Sequence, residues 1–214
     1  MRPTRLISLS ALAATALIAI GAALPRQDDG ERKTFKDLSP VEQMAAQRKS
    51  TELRAPGPEH DLLARYVGTF TQEIKVWSAP GAEPITFHGT LEQEMVLGGR
   101  FLMSRGKSIF PGMDEIETIG MWGFDRRHGV YTSVGFDTLG TYYITAAGPY
   151  DEESRSMTLR GTDEDPVLGS QVYDFKMEFI DDDTYVVSLI FHDMFTDGPF
   201  QLMQITRTRV KPDK

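Results

Sequence analysis

The chain has 214 residues, enough for one domain with a sizeable hydrophobic core. It contains no cysteine, so disulfides, thiol nucleophiles and thiolate metal sites are excluded. Its 31 acidic and 23 basic residues give a formal net charge of −8, and such a surface repels nucleic acid and anionic lipid headgroups. The acidic excess is most simply that of a soluble surface.

The first two dozen residues have the pattern of a secretory signal peptide. Arg2 and Arg5 make a basic start, residues 6–24 are uncharged and mostly apolar, and residues 21–23 supply the small side chains of a cleavage site. We expect residues 1–23 to be removed on export, which predicts a periplasmic or secreted protein without stable membrane association. The alternative is an uncleaved membrane anchor, because an uncharged run of this length can just span a bilayer.

A polar linker and a helix are predicted over residues 24–55. The first part is charged and poor in branched apolar side chains, which is typical of a flexible tether. Ser39, Pro40 and Glu42 then form a capping box with proline at the first helical position, so a helix is predicted from Pro40 to Ser50. Its apolar stripe is thin, which indicates a peripheral helix.

After a further short helix that ends near Tyr66, apolar and polar residues alternate with a period of two. Turn signals rich in Gly, Pro and Asp separate the strand-like runs. The runs cover residues 67–78, 85–96, 99–109, 115–125, 129–138, 140–148, 155–162, 168–180, 184–193 and 199–210. This pattern predicts an all-β domain over residues 56–214, an antiparallel up-and-down β-barrel of about ten strands, because closing the sheet hides its edges. A two-sheet sandwich would alternate similarly and stays an alternative.

The usual catalytic and metal-binding motifs are missing from the sequence. The four histidines, at positions 60, 88, 128 and 192, show no metal-ligand spacing, and there is no nucleophile elbow of the G-x-S-x-G type. The Gly-rich stretch at residues 96–100 is not followed by a helix, so it indicates a hairpin rather than a phosphate cradle. We therefore predict no catalytic residue, no metal site and no cofactor.

Several side chains in the predicted strands suit a pocket for a small hydrophobic or amphipathic ligand. Methionine adapts its shape to apolar ligands, and tyrosine and tryptophan add a polar group to an apolar wall. Two arginines in the third run are candidates to point inward and to pair with a ligand carboxylate, or else with Glu92, Glu94, Glu117 or Asp137. The candidate ligand-binding residues are Arg100, Met103, Arg105, Trp122, Tyr131, Tyr143 and Tyr173.

The step from Gly68 to Phe70, behind a short helix, resembles the Gly-x-Trp opening of lipocalin-like (calycin) barrels. That resemblance implies that the ring closes the floor of the barrel beneath an arginine of the last strand, here Arg207 or Arg209. The stretches "PGPEHDLLARYVGTF", "IKVWSAPGAEP", "MVLGGRFL" and "GFDRRHGVYTSVGFD" are similar to the bacterial domain-of-unknown-function family 1579. The similarity runs from about Pro56 to Arg209 and implies one small barrel domain with no established activity.

The favoured hypothesis is an exported, lipocalin-like barrel that binds a small apolar or amphipathic molecule. One alternative is a hydrolase or isomerase that uses His88 or His192 with Glu92, Glu94 or Asp137 as an acid/base pair. Another is a haem-binding barrel with either of these histidines as the axial ligand. A last alternative is an assembly partner that binds through the helix at residues 40–50.

Overall fold

The computed structural model describes residues 34–192 and 198–211. The predicted signal peptide and the start of the linker lie outside the described residues. Eleven strands and two α-helices make up the described chain, and all strands belong to one antiparallel sheet. No helix in the described ranges is long and apolar enough to span a membrane.

Two helices precede the strands. After a 3-10 turn at Phe35–Asp37, α1 spans Pro40–Arg54 and α2 spans Glu59–Ala64. The capping box at the start of α1 is confirmed, since the Ser39 N–H donates to Glu42 over 2.7 Å and the Glu42 N–H donates to the Ser39 hydroxyl over 3.4 Å. Because α1 buries none of its side chains, it lies at the periphery of the domain.

The last turn of α1 is attached to the barrel by two arginines. Arg126 donates hydrogen bonds to the carbonyl oxygens of Glu52 and Ala55 at 2.7 and 3.0 Å. Arg100 donates from Nε to the carbonyl of Arg54 at 3.1 Å. Cations suit the C-terminal end of a helix because the last carbonyls have no intrahelical partner.

The strands alternate direction along the chain and pair with their neighbours. They are β1 (Gly68–Val76), β2 (Ile85–Val96), β3 (Phe101–Ile109), β4 (Glu115–Asp125), β5 (Val130–Asp137), β6 (Ile144–Gly148), β7 (Tyr150–Asp151), β8 (Ser156–Asp165), β9 (Gly169–Phe179), β10 (Thr184–His192) and β11 (Pro199–Arg209). Pairing of β1 with β11 and of β6 with β8 closes ten of them into a barrel, and β7 pairs only with β8. The predicted ten-stranded up-and-down barrel is confirmed, and the sandwich alternative is wrong.

The seam between β6 and β8 is the shortest pairing in the barrel. Ala146 lies opposite Gly161, and Ala147 lies opposite Arg160. A Cβ atom on Gly161 would collide with the backbone oxygen of Thr145 and with the hydroxyl of Tyr173, so only glycine lets the strands approach here. The Tyr173 hydroxyl donates to that same Thr145 oxygen over 2.9 Å and ties β9 across the seam.

One end of the barrel, which we call the floor, is closed by α2 and the start of β1. Leu63 and Tyr66, from α2 and the turn after it, are 1% and 0% exposed. Gly68 has a φ of 140°, in a region that L side chains rarely adopt, and the next inward ring, Phe70, is fully buried. The guanidinium carbon of Arg209 lies 4.7 Å from the centroid of that ring.

Candidate ligand-binding interior

The lower half of the barrel interior, next to the floor, is filled by large side chains. Phe70 lies edge-on to Tyr185 with ring centroids 5.3 Å apart, and Tyr66 packs on the same tyrosine at 4.9 Å. Leu102 and Met157 are fully buried in the same core. The side chains of this layer are therefore apolar except for the hydroxyl groups of Tyr66 and Tyr185.

Several other inward-facing side chains pack against this core and still keep part of their surface exposed. Because they point to the inside of a closed barrel, their exposed area borders either internal space or the end of the barrel opposite the floor. They are Trp122, Ile144, Phe175, Leu189, Phe191 and Met203. These residues form an apolar lining that is only partly covered by other side chains.

The strands across the barrel from β10, β11 and β1 carry small residues on their inner face. In the closed order of ten strands, β4, β5 and β6 lie opposite β10, β11 and β1 respectively. The inner positions of β3 to β6 include Ser104, Gly106, Gly120, Ser133 and Ala146. The same strands also carry two members of the lining, Trp122 on β4 and Ile144 on β6, so small and large side chains are mixed on this wall.

A polar cluster lies inside the barrel between the floor and this lining. Arg207 donates from Nε to the side-chain oxygen of Gln72 over 2.9 Å and from Nη1 to the hydroxyl of Tyr185 over 3.2 Å. That hydroxyl donates to the side-chain oxygen of Gln93 over 2.5 Å. The amide of Gln72 in turn donates to the backbone oxygen of Thr90 over 3.0 Å.

Burial keeps the phenols of this interior protonated. It raises the pKa of Tyr185, against the opposing effect of the Arg207 charge. Burial also raises the pKa of Tyr173 above its ordinary value and that of Tyr131 to about 12. The three tyrosines therefore act as neutral donors and acceptors at physiological pH.

Of the seven candidate ligand-binding residues, Trp122, Tyr131 and Tyr173 lie in the interior. Trp122 belongs to the partly exposed lining. Tyr131 and Tyr173 are buried, and their hydroxyls donate to the backbone oxygens of Glu59 and Thr145 over 3.1 and 2.9 Å.

The other four candidates lie outside the barrel, and their expected inward orientation is corrected. Met103 and Arg105 are on the outer face of β3, because Leu102 and Ser104 take the inner positions. Arg105 contacts Glu94 at 3.3 Å, and both line a surface groove formed by residues of β1, β2 and β3. Arg100 is in the turn before β3, where it holds the end of α1. The fourth of these candidates, Tyr143, directly precedes β6 and is 48% exposed.

Neither His88 nor His192, the two histidines considered as bases or haem ligands, is directed into the interior. His88 lies on the outer face of β2, opposite Glu73 of β1. His192 lies on the outer face of β10, where its Nε2 is 2.8 Å from Asp174. His60, on α2, is buried edge-on against Phe124, and its Nδ1 accepts from the Gly57 N–H over 3.1 Å. His128 lies 2.8 Å from Asp125 in the turn before β5. Neither His88 nor His192 is therefore placed to be an axial haem ligand inside the barrel, and neither contacts Glu92, Glu94 or Asp137.

Asp174 is the centre of a charged cluster on the outer face, which the sequence analysis missed. It accepts two hydrogen bonds from Arg160, at 2.8 and 2.9 Å, besides its contact with His192. The bonded Arg160 guanidinium holds the pKa of the Asp174 carboxyl below its ordinary value. The described residues hold no group of three His, Asp or Glu side chains suited to a metal ion.

Fold and interior together define a closed, ten-stranded antiparallel barrel with a polar cluster inside an apolar lining. Residues 55–209 match the family described as "Protein of unknown function (DUF1579)", and the chain belongs to this family. The family resemblance seen in the sequence is thus confirmed. No curated protein matches the chain.

Solved structures with a similar fold share little sequence with this chain. The crystal structure of Rv2717c from M. tuberculosis is 14% identical, with a TM-score of 0.53, and the match covers 73% of this chain and 100% of that one. The S-type phycobiliprotein lyase CPES from Guillardia theta is 9% identical, with a TM-score of 0.49, over 72% of this chain and 94% of that one. The first likeness supports the barrel fold alone.

Proposed function

We propose that this protein is an exported binding protein that holds a small apolar or amphipathic molecule inside its barrel. The observation that carries the proposal is the apolar lining: its members on β9 to β11 keep exposed area inside the barrel, and the strands across from them carry small residues beside Trp122 and Ile144. Ligand sites commonly combine apolar walls with a few placed polar groups, which supports the proposal, since the interior carries an apolar lining and the polar cluster of Arg207. The basic start and apolar run of residues 1–24 support export.

Binding is tested with a neutral fluorescent apolar probe, N-phenyl-1-naphthylamine, and with two tryptophan variants of β5. Ser133→Trp adds an indole on the inner face, whereas Val134→Trp adds it on the outer face of the same strand. We expect wild type and Val134→Trp to bind the probe, and Ser133→Trp to lose most of the binding while circular dichroism shows a folded barrel.

Native mass spectrometry of wild-type protein purified from its own host gives an independent result. We expect an added mass that denaturation removes. Absence of a ligand, together with no probe binding by wild type, would falsify the proposed function. If both tryptophan variants bind the probe as wild type does, binding is on the surface and the interior site is wrong.

Export is tested separately from binding. We expect the protein to be recovered outside the cytoplasm with a mature N-terminus at residue 24, identified by N-terminal sequencing. Recovery of the full-length chain in the membrane fraction would favour the uncleaved anchor instead. Recovery of the full-length chain in the cytoplasm would contradict export and leave ligand binding to its own test.

A further inference from the structure

Arg207 places a positive charge inside the barrel among neutral partners. Its hydrogen-bond acceptors are the amide oxygen of Gln72 and the hydroxyl of Tyr185. Among the described residues, no carboxylate lies within 4 Å of its guanidinium. Arg207 is half-buried, and a charge withdrawn in part from water is ordinarily paired, because transfer into a protein interior is costly without a counterion.

In the polar cluster around Arg207, the side-chain oxygens already accept hydrogen bonds, whereas some N–H donors have no acceptor. Tyr185 accepts from Arg207 and donates to Gln93, and the oxygen of Gln72 accepts from Arg207. The side-chain nitrogen of Gln93 is buried without a hydrogen-bond partner among the described residues. The guanidinium carries five N–H donors, and the cluster uses its Nε and Nη1 nitrogens. What the cluster lacks is therefore an acceptor with negative charge.

The hydrogen bond from the Tyr185 hydroxyl fixes the orientation of the Gln93 amide. With the opposite orientation, the amide oxygen would be the unpaired atom and the Tyr185 hydroxyl would lose the acceptor that it has at 2.5 Å. Gln93 is 4% exposed, so solvent outside the barrel does not satisfy it. Buried amide groups without a partner are rare, and each such group needs an explanation.

We infer that Arg207 and Gln93 bind the carboxylate of an amphipathic ligand, an inference that rests on the proposed function. A planar carboxylate matches the guanidinium fork and still has a lone pair for the Gln93 amide, whose buried nitrogen becomes accessible to the ligand when the side chain shifts. The apolar body of the ligand then lies along the lining of β9 to β11, which includes Phe175 and Met203, against the small residues of β4 to β6. The ligand class is a monocarboxylic acid with a hydrocarbon tail.

The test compares a fluorescent polyene fatty acid, cis-parinaric acid, with its methyl ester, at one pH and ionic strength. The two probes share the hydrocarbon body and differ in the charge of the head. We expect wild type to bind the acid at least about tenfold more tightly than the ester, as fits hydrogen bonds to an ionised group. Gln93→Leu and Arg207→Gln should remove this preference and change the ester affinity by less than about threefold.

Arg105→Gln is the matched control, since this arginine is exposed on the outer face and should leave both affinities unchanged. Equal affinities of wild type for acid and ester overturn the carboxylate site and leave the proposed function standing. No binding of either probe by folded wild type overturns the carboxylate site, and it counts against the proposed function only if N-phenyl-1-naphthylamine also fails to bind and no native ligand is found. If Arg207→Gln fails to fold, the wild-type preference and Gln93→Leu decide, and an acid preference that Gln93→Leu retains in full overturns the role of Gln93.

Discussion

Arg209 covers the ring of Phe70, with its guanidinium carbon 4.7 Å from the ring centroid. The same guanidinium donates to the backbone oxygens of Val67 and Arg65, at the end of α2, the second of these at 2.8 Å. One side chain thus joins the last strand, the first strand and the helix that closes the floor. A cation over an aromatic ring contributes on the order of 0.5–2 kcal/mol, and the carbonyl contacts add to this.

Phe70→Ala should reduce the free energy of unfolding by about 3–5 kcal/mol, because it leaves a cavity in a fully packed layer. Urea denaturation followed by circular dichroism measures the change. Phe136→Ala is the control, since this ring is 49% exposed on the outer face and its loss should cost less than about 1 kcal/mol. Equal effects of the two substitutions would show that the floor ring has no special structural role.

Gly68→Ala should destabilise the barrel more than Gly81→Ala does. Both glycines have positive φ, 140° and 77°, but a Cβ on Gly68 would collide with the Arg209 guanidinium, whereas none of the described atoms lies near a Cβ on Gly81. The expected difference is roughly 1–3 kcal/mol in the free energy of unfolding. Similar losses in both variants would mean that the backbone conformation alone explains the need for glycine at Gly68.

Gly161→Ala should weaken the seam between β6 and β8. Its Cβ would collide with a backbone oxygen of the neighbouring strand and with the hydroxyl of Tyr173, and neither can move without breaking their mutual hydrogen bond. We expect a loss of roughly 1–3 kcal/mol and faster amide exchange in β6. Gly135→Ala is the control, because its Cβ would meet only the flexible side chain of Ile144. Unchanged exchange in β6 would contradict this account of the seam.

Asp174→Asn should lower stability at neutral pH by roughly 1–2 kcal/mol, since solvent screens Arg160, whose side chain is 63% exposed. The folded-state pKa of Asp174 lies below the unfolded value of about 3.9. Its contribution is therefore present above that value and is lost as the pH falls through the lower folded-state pKa.

Denaturation at several pH values checks this dependence. The difference in stability between wild type and Asp174→Asn should shrink as the pH falls below about 4. Asp182→Asn, at a side chain that is 96% exposed, should show no comparable difference at any pH. A difference for Asp174→Asn that stays constant down to pH 2 would mean that the ionised carboxylate is not what stabilises the cluster.

The sequence was sufficient to predict the barrel because its signals are local. Each of the ten runs became a strand within a few residues of the expected bounds, and the one addition is the two-residue β7. Alternation, turn residues and the capping box at Ser39 each depend on neighbours within a few positions, which a single sequence displays. The closing step from Gly68 to Phe70 was visible for the same reason.

The orientation of β3 was not predictable from its own residues. Phe101, Met103 and Arg105 point outward, whereas Leu102, Ser104 and small neighbours point inward. Large apolar residues usually mark the inner face of a strand. In β3 the opposite holds at two pairs of positions, because Phe101 and Met103 face outward while Ser104 and Gly106 face inward. Side chains alternate between the two faces of a strand. If the inner face is assigned wrongly, every side chain of that strand is therefore predicted on the wrong side.

Local pattern in the sequence alone thus determined the strands, their order along the chain and the glycine at the floor. Tertiary structure decided which of two arginines on one face, Arg207 and Arg209, lies inside and which covers Phe70. It also brought Gln72, Tyr185 and Gln93 together from three strands. The physical reason is that a side chain's partners across a closed barrel are set by strand register and shear, which join residues far apart in sequence.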